Sequence, residues 1–260
     1  MTDGTQRLPI ERLTAQGRQD AEDLVSRELA LTIILDDQEL ATLLCSPTEL
    51  EYLAIGFLFS EGLVGGRDEV KKITVDERRG VVWVETREGK ERASQARRRR
   101  LITSGAYGFS SARGRTKVDS QLQIAAARVL VLVRRFQVRS RLFRETGGAH
   151  SAALCDERRI LVFSEDIGRY NALDKVLGRC LLDGIPVVSR IMMTTGRVSS
   201  GMVLKVSSMA IPILVSRSAP TDLGVRLARD LGITLVGFAR GEKMNVYTSG
   251  WRIVTGGAPV

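Results

Sequence analysis

The sequence has few of the residues from which most enzyme active sites are built. Among 260 residues it has one histidine, His150, and three cysteines, Cys45, Cys155 and Cys180. A single histidine excludes a metal site with several histidine ligands, and no Cys-x-x-Cys pair is present to hold zinc or to act as a dithiol. We therefore predict no metal site. Three cysteines that lie far apart along the chain indicate reduced thiols and a cytoplasmic protein.

Nucleotide-binding motifs and membrane segments are also absent from the sequence. Neither the G-x-x-x-x-G-K-S/T loop nor the G-x-G-x-x-G fingerprint occurs. No apolar run reaches the roughly 18 residues that span a bilayer, and the first residues lack the pattern of a signal peptide. His150 has two interpretations, a strand-start residue satisfied by hydrogen bonds, which we favour slightly, or a residue with an orienting or proton-handling role.

Positive charge is concentrated in the middle of the chain. Residues 87–144 contain 16 Lys or Arg and three acidic residues. This asymmetry predicts either an anionic partner or a solvated basic face, and nucleic acid, a nucleotide and an acidic protein surface remain open as partners. Nucleic acid is the least favoured partner, because aromatic residues make up 5% of the chain and do not alternate with the arginines.

Sequence patterns in the first half of the chain predict two hairpins and two helices. Apolar, β-branched runs predict one hairpin that turns at residues 36–37 and another that turns at 79–80. Between the hairpins, Ser46, Pro47 and Glu49 match a capping box at the start of a helix with one apolar face. A second helix is predicted over about 120–136.

After residue 147, short strands and helices alternate along the sequence. This rhythm predicts an α/β fold with a mixed or mostly parallel sheet and crossover helices, preceded by a β-hairpin and helix region. We place an approximate domain boundary at residue 145. Residues 1–145 form an N-terminal α+β region with the basic loop 97–117, and residues 146–260 form an α/β cofactor-binding domain.

Four consecutive strand ends combine small polar residues with a cation. The segments are SEDIGRYNALDK, TTGRVSSG, SRSAPTDLG and GFARGEK, and their cations are Arg169, Arg197, Arg217, Arg240 and Lys243. Each segment alone is explained as well by a capped turn, and in the third segment Thr221 is the predicted N-cap of the following helix. In an open α/β sheet, however, the carboxyl ends of the strands and the helix N-termini beside them bind ligands. Together the four ends predict a site for a phosphorylated ligand.

Several motifs resemble, in order, those of the formate dehydrogenase accessory proteins, the FdhD family. They are GGAHSAAL, SEDIGRYNALDKVLG, TTGRVSSGMVLKV and SRSAPTDLGVRLARDLGITLVGF, and TELEYLAIGFLFSEGLV resembles the family's early helix. The resemblance covers about residues 25–250. It implies a cytidine-deaminase-like α/β fold without the deaminase zinc ligands, in a homodimer.

The resemblance also implies a function in sulfur transfer. Such proteins receive persulfide sulfur from a cysteine desulfurase and deliver it to the bis-molybdopterin guanine dinucleotide cofactor of formate dehydrogenase. The family's sulfur-carrying cysteine lies in the basic loop after a T-S-S or T-S-G step. Here Thr103-Ser104-Gly105 is followed by Ala106, which cannot form a persulfide. The resemblance therefore implies a sulfur carrier whose transfer cysteine is replaced or, alternatively, a non-catalytic chaperone of the cofactor.

The family's guanine-dinucleotide segment corresponds to one stretch near the C-terminus. Its members here, which complete the predicted cofactor-binding set with Arg169, Arg197 and Arg217, are Phe238, Ala239, Arg240, Gly241, Glu242 and Lys243. Guanosine diphosphate is the expected mimic of the cofactor. A further departure from the family is Tyr170, since the family more often has histidine at that position.

Overall fold

The computed structural model describes residues 4–87 and 117–256, and two larger β-sheets organise this part of the chain. The strands are β1 (Thr5–Thr14), β2 (Gly17–Ser26), β3 (Leu29–Leu35), β4 (Gln38–Cys45), β5 (Val70–Asp76), β6 (Val81–Thr86), β7 (Ile124–Ala125), β8 (His150–Cys155), β9 (Ile160–Asp166), β10 (Ile191–Thr194), β11 (Ile213–Ser216), β12 (Thr234–Arg240), β13 (Lys243–Val246) and β14 (Ile253–Val254). The α-helices are α1 (Leu50–Ser60), α2 (Ala126–Arg139), α3 (Arg141–Thr146), α4 (Arg169–Leu182), α5 (Ser200–Ser208) and α6 (Asp222–Asp230).

The first of these sheets has four strands in the order β4-β3-β6-β5. Both predicted hairpins are confirmed, because β3 pairs antiparallel with β4 and β5 pairs antiparallel with β6. Asp36 and Asp37 have φ values of 46° and 65°, as a two-residue hairpin turn requires. The buried Asp36 carboxylate accepts hydrogen bonds from the Thr86 backbone N–H at 2.7 Å and hydroxyl at 2.6 Å. The turn is thereby tied to the end of β6.

Helix α1 starts later than predicted. The predicted capping box is wrong, because Glu49 precedes the helix with φ 55° and no side chain caps the first turn. The Ser46 hydroxyl accepts a hydrogen bond from the Ile167 N–H at 3.1 Å instead. Nine of the eleven residues of α1 are buried, so the helix has more than the single apolar face that the sequence predicted. The reason is that it packs between the four-stranded sheet and α4.

Two glycines allow α1 and α4 to cross closely. A Cβ atom at Gly56 would lie 1.8 Å from the Asp174 carbonyl oxygen, and one at Gly178 would lie 1.9 Å from the Tyr52 carbonyl oxygen. No other residue fits at either position without moving a backbone. The crossing joins the four-stranded sheet to the second half of the molecule.

The second large sheet has six strands in the order β13-β12-β11-β10-β8-β9. It is mixed, as one of the two predictions had it. The pairs β10–β11 and β11–β12 are parallel, whereas β8–β9, β8–β10 and β12–β13 are antiparallel. A mostly parallel sheet was the wrong prediction, because β8–β9 and β12–β13 are hairpins, β8–β10 is also antiparallel, and only β10–β11 and β11–β12 are parallel pairs joined by crossover helices. The likeness to cytidine deaminases stays a prediction.

Helices cover both faces of the six-stranded sheet. Helices α4, α5 and α6 pack on one face, and α2 packs on the other through Val129, Leu132, Val133 and Phe136. Helix α2 begins at Ala126, about six residues later than predicted, because residues 124–125 pair with β14 as a short parallel strand. Residues 124–136 thus pack on the C-terminal sheet although they precede residue 145. The division at that residue stays a prediction.

The chain begins with a two-stranded ribbon that the sequence analysis did not predict. Strands β1 and β2 pair antiparallel over their full length, and most of their residues are exposed. At its base the Ser26 hydroxyl lies 2.7 Å from the Thr146 hydroxyl at the end of α3.

Among the described residues, no helix is long and apolar enough to cross a membrane.

A candidate anion-binding edge at four strand ends

The four predicted strand ends meet at one edge of the six-stranded sheet. Strands β10, β11 and β12 are parallel to one another, and β9 runs in the same direction because β8 is antiparallel to both β9 and β10. The carboxyl ends of all four strands therefore face the same way. The sequence prediction of a shared edge is confirmed, and Arg169, Arg197 and Arg217 each follow one of these ends.

A buried carboxylate shapes the end of β9. The Asp166 Oδ1 atom accepts hydrogen bonds from the Gly168 N–H at 2.8 Å and from the Asn171 side-chain amide at 2.9 Å. Its Oδ2 atom accepts from the Ser46 N–H at 3.0 Å and lies 2.7 Å from the Lys175 Nζ. These contacts hold the turn from which Arg169 projects at the start of α4.

The end of β10 packs directly against that turn. A Cβ atom at Gly196 would lie 2.7 Å from the Cβ of Arg169, so the glycine is what lets the two ends approach. The Tyr170 hydroxyl lies 2.5 Å from the Ser199 hydroxyl just before α5. The Arg169 guanidinium is stacked 4.7 Å from the centre of the Tyr170 ring. Tyr170 is thus a buried support for Arg169.

The end of β11 is fastened to the end of β10. The Ser216 hydroxyl donates to the Gly196 carbonyl at 2.7 Å, and the Arg217 N–H donates to the Thr194 carbonyl at 3.2 Å. The Thr221 side chain accepts from the Gly224 N–H at 3.1 Å and caps α6, which confirms that N-cap. The first three ends therefore form one connected surface.

Two arginines on this surface have polar atoms without a partner. The Nε atoms of Arg169 and Arg217 are buried from solvent and make no hydrogen bond within the described residues. A buried N–H without an acceptor is costly, by about 1–3 kcal/mol. An anion at the strand ends would supply the acceptors. Guanidinium groups are suited to phosphate in particular, because their planar N–H donors match two phosphate oxygens.

The fourth end differs from the loop that the sequence suggested. Residues 238–243 are the end of the β12–β13 hairpin, in which Arg240 pairs with Lys243 and the turn lies at 241–242. Phe238 has φ 51° at an irregularity in the pairing, and its N–H donates to the Ser218 carbonyl at 3.1 Å. The hairpin is thereby joined to the end of β11.

The six predicted residues of this hairpin differ in accessibility. Arg240, Gly241, Glu242 and Lys243 are exposed, and Phe238 is partly buried. The Arg240 guanidinium lies 6.0 Å from the centre of the Phe238 ring. Ala239 has no exposed surface and belongs to the core beneath α2. Ala239 therefore cannot contact a ligand, and it can only set the spacing between Phe238 and Arg240.

His150 lies at the same edge, at the start of β8. Its Nδ1 atom is 3.3 Å from the Thr195 hydroxyl, in agreement with the favoured interpretation as a hydrogen-bonded strand-start residue. Burial lowers the pKa of the imidazole below its usual value, and the charges of Arg169 and Arg197 lower it further, against the opposite effect of Asp166. The ring is therefore neutral at neutral pH.

None of the three cysteines is available for chemistry. Cys45, Cys155 and Cys180 are all buried, and burial is the main cause that raises the pKa of each thiol to about 12. At Cys45 the charge of Asp166 adds to the effect of burial, against the opposite effect of Lys175. A thiolate is the reactive form of cysteine, so all three side chains are structural.

Some predicted features cannot be placed, and others were missed. Ala106 and nearly all of the basic loop 97–117 lie outside the described residues.

The sequence analysis missed Asp166 and Lys175, the pair that shapes the edge. A signal was present, since Lys175 falls on the apolar side of α4 and buried lysines are almost always paired.

Two cavities elsewhere are not lined by the predicted residues. One of about 310 Å³ lies against β3 and β6 beside Trp83, and one of about 270 Å³ lies beside β9, α3 and the first residues of β1. Within the described ranges, no group of three or more His, Cys, Asp and Glu side chains could hold a metal ion.

Comparisons of the sequence and of the structure with known proteins agree with one another. The chain is 39% identical over 237 residues to the sulfur carrier protein FdhD of Bacillus pumilus, a match that covers 89% of this chain and 90% of the relative. It is 38% identical to the protein of that name from Listeria innocua, over 95% of this chain and 98% of the relative. A crystal structure of a putative formate dehydrogenase accessory protein from Desulfotalea psychrophila is similar with a TM-score of 0.81 and 28% identity, covering 97% of this chain and all of that one. The FdhD/NarQ family model matches residues 26–254, and the chain belongs to that family.

Proposed function

We propose that this protein is an accessory protein of formate dehydrogenase maturation that binds the phosphates of the bis-molybdopterin guanine dinucleotide cofactor at the four strand ends. The observation that carries the proposal is the pair of buried, unpartnered Nε atoms of Arg169 and Arg217 on one connected surface. The names of the relatives point to the same process.

The residues present fit such a ligand. A bis-guanine dinucleotide has two pyrophosphate groups, and the edge offers Arg169, Arg197 and Arg217 together with the N-termini of α4, α5 and α6. Helix N-termini favour negative charge through their free N–H groups. The exposed Arg240 and Lys243 extend the positive surface along the hairpin, and Phe238 offers an apolar ring for a guanine to pack on.

The state of the thiols supports one of the two functions considered for the chain. A persulfide carrier needs an accessible thiolate, and every cysteine of this chain is buried with a pKa of about 12. With Ala106 at the family's transfer position, the chain itself has no side chain that can carry the sulfur. We therefore favour a cofactor-binding role, and sulfur transfer from a cysteine desulfurase is the second candidate, which requires a cysteine at position 106.

Calorimetry with guanosine diphosphate tests the binding proposal. We expect binding that weakens by about 1.5–3 kcal/mol in Arg217→Ala, the size of a lost hydrogen bond to a charged group. Arg226→Ala is the matched control, because Arg226 lies on α6 in an exposed ion pair with Asp222. Adenosine diphosphate should bind more weakly. Equal, weak binding of the two nucleotides would remove the guanine-specific part of the proposal.

The proposed partners are formate dehydrogenase, a cysteine desulfurase and a second copy of this chain. Helices α2 and α3 support an electrostatic contact, because Arg134, Arg135, Arg139 and Arg144 are exposed on them. Attraction between opposite surfaces weakens with salt. Association that is unchanged between low and high salt would argue against this, and strong salt-dependent binding of DNA or RNA would favour the nucleic-acid alternative.

A further inference from the structure

We propose that His150 is a proton-accepting residue of the anion site, neutral while the strand ends are free and protonated when a pyrophosphate group is bound there. The inference rests on the proposed function, because it needs an anion at this edge. The protonated imidazole would be a charged contact to the ligand that forms only in the complex.

The position of His150 between two strand ends is the geometric basis. In the β8–β9 register the residue lies opposite Asp166, the last residue of β9. Its Nδ1 atom contacts the Thr195 hydroxyl just after β10, and the next residue, Gly196, lies against Arg169. His150 and Arg169 therefore flank the same short segment of the edge.

The charged groups that act on the ring come from three elements around it. Arg169 of α4 and Arg197 after β10 disfavour a positive imidazole, and Asp166 of β9 favours it. The Asp166 carboxylate is already in contact with Lys175 at 2.7 Å, so much of its charge is compensated. Burial is the largest cause that lowers the pKa of the ring, ahead of the two arginines. The free edge thus holds the ring neutral.

A bound pyrophosphate changes this balance. Its negative charges would offset those of Arg169 and Arg197, and an opposite charge within about 4–6 Å raises the pKa of a base by about 1–3 units. The proton comes from solvent and adds to the free ring nitrogen. The Thr195 hydroxyl can donate to Nδ1 or accept from it, so that contact persists in both protonation states. Binding should therefore tighten as the pH falls between the two pKa values of His150.

Nuclear magnetic resonance can follow this proton directly, because His150 is the only histidine of the chain. The imidazole signals of the untagged protein are followed as the pH is changed, first alone and then with saturating guanosine diphosphate or inorganic pyrophosphate. We expect a pKa below the ordinary 6.5 in the free protein and a rise of about 1–3 units with either ligand. Guanosine, which has the base without phosphate, should leave the pKa unchanged.

A variant and a separate binding measurement make the outcomes distinct. His150→Gln keeps a neutral donor but cannot take up the proton, so it should bind guanosine diphosphate more weakly than the unmodified protein below the bound-state pKa of His150 and should lose the tightening at lower pH. Calorimetry reports binding independently of the histidine signal. If the ligands bind and the pKa of His150 does not rise, this inference is overturned and the proposed function stands. If neither guanosine diphosphate nor pyrophosphate binds, both are overturned.

Discussion

The Lys175 ammonium lies 2.7 Å from the Asp166 carboxylate, and neither side chain is exposed to solvent. The pair joins three parts of the molecule, because Lys175 also donates to the Thr48 hydroxyl at 3.3 Å and to the Glu165 carbonyl at 3.2 Å. Asp166 in turn accepts from the Ser46 N–H. The segment before α1, the end of β9 and helix α4 are thus fixed to one another.

Removing one member of this pair should be strongly destabilising. In Asp166→Asn the Lys175 charge stays buried without a compensating charge, which costs about 3–5 kcal/mol. Urea denaturation at neutral pH measures the loss. Arg226→Ala breaks an exposed pair with Asp222 and should cost less than about 1 kcal/mol. Similar losses in the two variants would show that the buried pair is not a structural anchor.

The crossing of α1 and α4 should not tolerate a side chain at Gly56. A Cβ atom there would lie 1.8 Å from the Asp174 carbonyl oxygen, so Gly56→Ala must push the helices apart, and we expect a loss of more than about 4 kcal/mol or no folded protein. Gly250→Ala is the control, because its added Cβ would meet only Val246 Cγ1 at 3.7 Å. Circular dichroism during heating compares the two. An unchanged melting temperature for Gly56→Ala would contradict the packing described.

A cysteine at position 106 should accept sulfur where the native cysteines do not. Arg97 to Arg100 and Arg113 to Lys117 flank this position in sequence, and neighbouring cations lower the pKa of a thiol toward neutrality. After incubation with a cysteine desulfurase and cysteine, mass spectrometry should find an added sulfur atom on Ala106→Cys. The unmodified chain is the control. Comparable loading of Cys45, Cys155 or Cys180 would overturn the assignment of this loop.

His150 should also make the free protein less stable at mildly acidic pH. Its pKa is lowered in the folded state, so the unfolded chain binds more protons between that value and 6.5. Stability must then fall as the pH drops from 6.5 to the folded-state pKa, and the contribution of His150 is constant below that value, where both states bind the proton. In His150→Gln the fall should be smaller, as denaturant midpoints at several pH values will show. Identical pH profiles for the two proteins would contradict the lowered pKa.

Local sequence signals predicted the elements that depend on nearby residues. Two adjacent aspartates predicted the turn at 36–37 because their short side chains tolerate positive φ. Thr221 predicted a cap because its hydroxyl reaches an N–H three residues on. The alternation of strands and helices predicted that four cation-bearing strand ends lie at one edge, since parallel strands joined by helices must end on the same side.

Only the tertiary structure decided the elements that depend on distant partners. Ser46 has the right sequence context for a helix cap, but its N–H and hydroxyl are bound to Asp166 and Ile167, about 120 residues away along the chain. The antiparallel edges of the large sheet, the stacking of Arg169 on Tyr170 and the unpartnered Nε atoms likewise depend on which segments meet. Sequence spacing determined which side chains reach the edge of the sheet. Packing determined which of them are left with hydrogen-bonding capacity for a ligand, because burial removes the water that would otherwise satisfy them.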